Sequence, residues 1–177
     1  MLVILDRDGV INEDSDDYIR SAEQWIPVPG SIAAIAALSQ AGFRIAVATN
    51  QSGLARGLFD TATLNAIHAK LHSEVAQAGG LVDAIFLCPH GPQDGCSCRK
   101  PLPGMYHDIA RRYDIDLKGV PAVGDSLRDL QAAATAGCTP WLVLTGNGAK
   151  TQQGELPPGT RIAADLAAVV DALLQEA

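Results

Sequence analysis

Aromatic residues are scarce in this 177-residue chain: two tryptophans, three tyrosines and three phenylalanines, 5% in all. With 47% hydrophobic residues overall, that scarcity speaks against a β-sandwich and for an aliphatic, alanine-rich α/β interior. Basic residues are also short, 13 against 20 acids, for a formal net charge of −7. Such a balance argues against broad binding to nucleic acid or to an anionic membrane. No apolar run approaches the ~20 residues of a membrane span. The N-terminus lacks the basic start of a signal peptide, and Asp6 interrupts its apolar stretch, so a cytoplasmic location is expected. In a reducing compartment the four cysteines read as thiols or ligands rather than disulfides. Internal repeats and interdomain linkers are absent, so residues 1–177 are expected to form one domain able to bury a core, and to act as a monomer.

What is present is an alternation of strand and helix signals. Aliphatic runs at Leu2–Leu5, Arg44–Ala48, Ala84–Leu87, Val120–Val123 and Trp141–Leu144 predict buried strands. Between and after them, Ser31–Gln40, Thr61–Ala78, Pro103–Tyr113, Leu127–Ala136 and Asp165–Gln175 predict helices, several bounded by a cap residue or a stopping glycine. Thr61 is the expected N-cap of the second helix, and Gly146–Gly159 is expected to be a loop. The pattern implies a doubly wound parallel sheet with helices on both faces.

Each strand ends in polar chemistry. Leu2–Leu5 runs into Asp6-Arg7-Asp8-Gly9-Val10, Ala48 into Thr49-Asn50-Gln51-Ser52, Leu87 into a Cys/His loop ending in Arg99-Lys100, and Val123 into Gly124-Asp125-Ser126. Parallel winding gathers these ends along one edge of the sheet, where open α/β folds bind ligands. Residues i and i+2 of an extended segment share a face, so Asp6 and Asp8 can enter one site. Two acids this close call for a cation or a phosphorylated substrate. Read as a set, the groups suit phosphoryl transfer. One carboxylate attacks phosphorus, a second handles the proton, and a hydroxyl, an ammonium and Mg²⁺ surround the transferred oxygens. Mg²⁺ prefers a few carboxylates together with water and substrate phosphate.

On these four segments, and over nearly its whole length, the chain resembles the haloacid dehalogenase (HAD) superfamily of phosphatases. Val10 stands where threonine is more usual. The resemblance implies a Rossmann-like HAD fold, with Asp6 as nucleophile and Asp8 as general acid/base. Thr49 and Lys100 would hold the phosphoryl oxygens. The Asp6 carboxylate, the Asp8 backbone carbonyl and Asp125 would bind Mg²⁺. Asp129 is either a supporting group behind these or a solvated helix residue. The gaps between motifs hold only a polar flap (Asn12–Trp25), single helices and the Cys/His loop, so no large cap domain is expected and the site should be open.

Cys88, His90, Cys96 and Cys98 lie within eleven residues and form a Cys₃His set suited to structural zinc. Their spacing is not that of a zinc finger, and the alternative is three free thiols beside a surface histidine. Cys138 reads as a buried thiol, and the pair His68 and His72 reads as packed or surface histidines rather than ligands. A zinc loop would position Arg99 and Lys100 directly after it. With that loop, Ala48–Gly57 and Cys96–Gly104, the chain is similar to the heptose bisphosphate phosphatases within the HAD group and to their relatives, the histidinol-phosphate phosphatases. The resemblance implies a small phosphorylated sugar as substrate, contacted by Asn50, Gln51, Ser52 and Arg99, with loss of the C7 phosphate and retention of the C1 phosphate. It further implies a place in bacterial surface-glycan (lipopolysaccharide) synthesis. Arginine suits a second phosphate because it binds one bidentately. A reading from another class is a catalytically silent protein stabilised by zinc.

Overall fold

A computed structural model describes residues 1–177. Six strands, β1 (Leu2–Leu5), β2 (Arg44–Asn50), β3 (Ala84–Cys88), β4 (Pro121–Gly124), β5 (Thr139–Val143) and β6 (Arg161–Ala163), form one sheet. Its order is β3-β2-β1-β4-β5-β6, and every neighbouring pair is parallel. Six helices complete the chain: α1 (Ser31–Gln40), α2 (Thr61–Gln77), α3 (Gly104–Tyr113), α4 (Leu127–Thr135), α5 (Gly148–Thr151) and α6 (Leu166–Glu176). No helix is long and apolar enough to cross a membrane.

Strand alternation divides the core in two. Val3, Leu5, Ile45 and Val47 pack with α1, α2 and α6 on one face. Leu2, Ile4, Ala46 and Ala48 pack with α3 and α4 on the other. Both faces of β1 are therefore buried, which is why Leu2–Leu5 is continuously aliphatic rather than alternating. Winding reverses at β1, which has β2 on one side and β4 on the other. Loops leaving these two neighbours diverge to opposite faces and open a crevice at the carboxyl end of β1. No cap domain covers it.

Three sequence expectations change. Asp60, not Thr61, caps α2, its carboxylate accepting from the Thr63 amide at 2.8 Å. The stretch 146–159 is not all loop, since it holds the single-turn α5. A sixth strand, β6, follows it at the sheet edge. The flap is also less superficial than its polarity suggests: Asn12, Ile19 and Trp25 are buried. Lys70 of α2 anchors it by donating to the carbonyls of Ala22 and Trp25 at 3.0 and 2.8 Å.

Candidate active site

The ends of β1, β2 and β4 and the loop after β3 meet over the crevice in a recess of about 340 Å³. It is lined by 19 residues, of which two are hydrophobic, so it suits a small, highly polar ligand rather than an apolar one. All four expected motifs reach it: Asp6 and Asp8, Thr49 to Ser52, Arg99 and Lys100, and Asp125.

Lys100 organises the floor. Its ammonium is buried and donates to Asp6 Oδ1 at 2.9 Å, Asp129 Oδ1 at 2.7 Å and the Ala48 carbonyl at 2.7 Å. Those three bonds engage all three of its protons. Burial disfavours the ammonium, but Asp129 and Asp6 outweigh that and raise its pKa. Asp129 is thus a buried partner of Lys100, and the solvated-residue alternative is ruled out. Its second oxygen accepts from the Ser126 amide and hydroxyl at 3.0 and 2.6 Å, closing a capping box on α4.

Asp8 is held differently. Arg7, almost fully buried, donates to Asp8 through Nε at 3.0 Å and Nη2 at 2.8 Å. Asn12 Nδ2 and Gln51 Nε2 add bonds of 2.9 Å each. Burial works against the Asp8 charge, yet Arg7 and these amides overcome it and hold the carboxyl below its usual pKa. Asp6 goes the other way: burial, reinforced by Asp129, pushes it well up despite Lys100. Burial, followed by Asp129, raises Asp125 to about 7.

Four carboxylates (Asp6, Asp8, Asp125 and Asp129) thus face two buried cations, Arg7 and Lys100, so that full ionisation would leave two negative charges uncompensated; burial together with this crowding is why Asp6 and Asp125 hold their protons more tightly. The donor set fits a hard divalent cation. Asp6 Oδ2 and Asp125 Oδ1 make no hydrogen bond, and the Asp8 carbonyl accepts none. Asp129 belongs to the same acidic cluster, but both its oxygens are engaged, so it supports Lys100 rather than offering a ligand. Gly9 lies at φ 83° against Asp125, and a Cβ there would overlap the Asp125 carboxylate. That contact explains the glycine after the paired acids.

Thr49 is buried and its Oγ1 accepts from Gln51 Nε2 at 2.8 Å, leaving the hydroxyl proton free to donate into the recess. Asn50 and Gln51 line the recess, but their amides are bonded within the protein. Asn50 pairs with the Lys100 backbone through two bonds of 3.1 Å. Gln51 bridges Asp8 and Thr49.

The Cys/His loop closes on itself. Cys88 Sγ lies 3.1 Å from Cys98 Sγ and 3.7 Å from Cys96 Sγ, and His90 Nδ1 lies 3.3 Å from Cys98 Sγ. A tetrahedral zinc with bonds of about 2.3 Å has ligand–ligand edges of about 3.8 Å, so the four atoms, all within 4.8 Å of one another, suit zinc. Cys138 is buried in the same core layer as Cys88 but stands outside the ligand cluster. Arg99 follows the cluster, its Nη1 donating to the His90 carbonyl at 3.3 Å.

Three residues of the site are absent from the motif reading. Asn147 donates to Asp125 Oδ2 from its amide at 2.7 Å and to Asp14 Oδ2 from its side chain at 2.9 Å. Its position just past β5, another strand end at the same edge, is the signal that could have marked it. His68 of α2 lies 3.2 Å from Arg7 Nη1, behind the Asp8 pair. Burial, with Arg7 next, lowers its pKa to about 4, so it is a neutral imidazole. Arg128 lines the recess from α4.

Comparison with known proteins agrees with this geometry. The family model described as HAD-hydrolase-like matches residues 97–169, and that described as polynucleotide kinase 3 phosphatase matches residues 2–132. A D-glycero-beta-D-manno-heptose-1,7-bisphosphate 7-phosphatase from Bordetella bronchiseptica is 72% identical over 99% of both chains. The chain belongs to the HAD phosphatases, in the branch of the heptose-1,7-bisphosphate 7-phosphatases. A Pseudomonas aeruginosa member of that branch is 60% identical over 98% of both chains. The crystal structure of the B. bronchiseptica D,D-heptose 1,7-bisphosphate phosphatase, complexed with magnesium and phosphate, superimposes with a TM-score of 0.98 over 99% of both chains. The corresponding phosphatase from Burkholderia thailandensis is 50% identical, with a TM-score of 0.78 over 98% of this chain and 97% of that one.

Proposed function

We propose that this chain is a Mg²⁺-dependent phosphatase that removes the C7 phosphate of D-glycero-β-D-manno-heptose 1,7-bisphosphate and leaves the C1 phosphate in place. The observation that carries the chemistry is the division of labour between the two acids of the Asp6-Arg7-Asp8 turn. Asp6 has an oxygen free of protein bonds, and Asp8 is held as a carboxylate by Arg7. The substrate assignment draws on relatives of 72% and 60% identity that carry that activity.

One oxygen of the Asp6 carboxylate attacks phosphorus while the other stays available to the metal; a P–O bond to Asp6 forms and the P–O7 bond breaks. The leaving sugar oxygen takes a proton from Asp8. Although Asp8 is ionised in the free protein, the approach of a phosphate dianion favours its protonation, and a monoanionic phosphate brings a proton with it. As Asp6 becomes an acyl phosphate it loses its charge, and the Lys100 proton directed at it becomes available to a phosphoryl oxygen. The Thr49 hydroxyl supplies a second donor. Asp8, again a carboxylate, then takes a proton from water as its oxygen attacks phosphorus. The Asp6–P bond breaks and inorganic phosphate leaves. Asp6 Oδ2, the Asp8 carbonyl and Asp125 Oδ1 would hold Mg²⁺, which when bound supplies positive charge against the phosphoryl oxygens. Cys88, His90, Cys96 and Cys98 would hold zinc, fixing the loop that ends in Arg99 and Lys100.

The same reading makes residues 1–177 a single functional domain, acting as a monomer in the cytoplasm. Steady-state rates on heptose 1,7-bisphosphate, histidinol phosphate and simple phosphoesters test the substrate. The heptose bisphosphate should have the highest kcat/KM, and a preference for histidinol phosphate would overturn the assignment.

A further inference from the structure

We propose that Arg128 is a specificity-determining residue that shares with Arg99 the phosphate remaining on the sugar. The proposal rests on the reading above in one respect only, that the substrate carries two phosphates.

Beside the catalytic recess lies a second one, about 390 Å³, walled by the zinc loop from Gly91 to Cys96 and by the start of α4. Arg99, Lys100 and Arg128 line both recesses, so the two are continuous. Of these three cations Lys100 is fully engaged by Asp6, Asp129 and the Ala48 carbonyl. Arg99 makes one bond, to the His90 carbonyl. Arg128 makes no hydrogen bond or ion pair and is exposed. A third arginine of the catalytic recess, Arg56, sits 5.9 Å from the Tyr18 ring and does not reach the second recess.

The placement of Arg128 is electrostatically poor for the helix alone. It is the second residue of α4, after the Ser126 cap, and the positive end of a helix disfavours a cation. Helix stability therefore does not account for it. An anion arriving between Arg99 and Arg128 would meet two guanidiniums able to bind phosphate in bidentate fashion. With the transferred phosphate at Asp6 and Lys100, the second recess lies on the zinc-loop side of it. There it offers two guanidiniums, those of Arg99 and Arg128, to a phosphate at the other end of a short sugar.

The test compares wild type, Arg128→Ala and Arg128→Glu on heptose 1,7-bisphosphate, fructose 1,6-bisphosphate and p-nitrophenyl phosphate. Glutamate suits the first turn of a helix, so that variant removes the cation without endangering the fold, and thermal unfolding verifies this. The readout is the ratio of kcat/KM on a bisphosphate to kcat/KM on p-nitrophenyl phosphate. Loss of charge-assisted bonds to one phosphate predicts a fall in that ratio of about 10- to 100-fold in Arg128→Ala, mostly through KM, and a larger fall in Arg128→Glu. An unchanged ratio in both variants would overturn the proposal. If the wild type shows no preference for the heptose over fructose 1,6-bisphosphate, the substrate assignment fails. The change in ratio on either bisphosphate still decides the role of Arg128.

Discussion

Two clusters of ligating side chains serve this molecule, and they are built on opposite principles. At the ends of β1 and β4, hard oxygens crowd into a recess open to solvent, with more negative charge than Arg7 and Lys100 neutralise. After β3, three sulfurs and one imidazole nitrogen close on one another, within 4.8 Å. The first cluster keeps oxygens of Asp6 and Asp125 free of protein bonds, as a reacting centre requires. The second uses its ligands to fix a loop, and the fixed loop delivers Arg99 and Lys100. A closed soft site lends rigidity and an open hard site performs chemistry.

The largest expected effect lies in the open cluster. Asp6→Asn should lower kcat by about 10⁴-fold or more, because an amide cannot form the acyl phosphate, while the unfolding temperature stays at or above that of wild type. Near-normal turnover would place the nucleophile elsewhere. Stripping zinc probes the other cluster. A misplacement of Lys100 by about 1 Å should lower kcat/KM about 100-fold, with Mg²⁺ affinity, measured by calorimetry, unchanged. Equal losses of both would mean that the two clusters are not separable.

A pH series sharpens the contrast in charge. Asp125, raised to about 7, and Asp6, also raised, bind protons in the folded metal-free protein at pH values where the unfolded chain has released them. Between about pH 7 and pH 4 these groups therefore make the metal-free protein more stable as pH falls, and less stable as pH rises. Mg²⁺ must displace the Asp125 proton, so its affinity should be about 100-fold weaker at pH 5 than above pH 7. The Tm difference between magnesium-loaded and metal-free protein should shrink accordingly toward pH 5. Taking that difference cancels the opposing contribution of His68, whose lowered pKa favours the folded state at higher pH. A difference independent of pH would contradict the raised carboxyls.

The smallest effect concerns His68. His68→Leu removes one bond to Arg7, worth about 0.5–1.5 kcal/mol, and should lower kcat by about two- to tenfold with KM unchanged. His68→Gln, which keeps an acceptor, should recover most of it. A change confined to KM would show that His68 does not act through Arg7 and Asp8.

The legible and illegible parts of the molecule separate along similar lines. Buried strands that end abruptly in polar residues, such as Leu2–Leu5 before Asp6, carry both fold and site in a few consecutive letters. The Cys₃His set was readable for the same reason, since its members lie within one loop. The edge strand Arg161–Ala163 was not readable, because it is three residues long, begins with arginine and has neither the length nor the continuous apolarity of a buried strand. The role of Asp129 depended on Lys100, which arrives from a different loop. That of His68 depended on Arg7, sixty-one positions away. Asn147 lay in a stretch whose glycines and prolines read as loop, and only the folded sheet brings its amide to Asp125.

The most direct test of the division between the clusters is a rapid acid quench of turnover, followed by mass spectrometry of the peptide that contains Asp6, in native and in zinc-depleted protein. A phosphoryl adduct on Asp6 should appear in both, accumulating more slowly after zinc depletion. The absence of any adduct on Asp6 during turnover, or an adduct on another residue, would contradict the account.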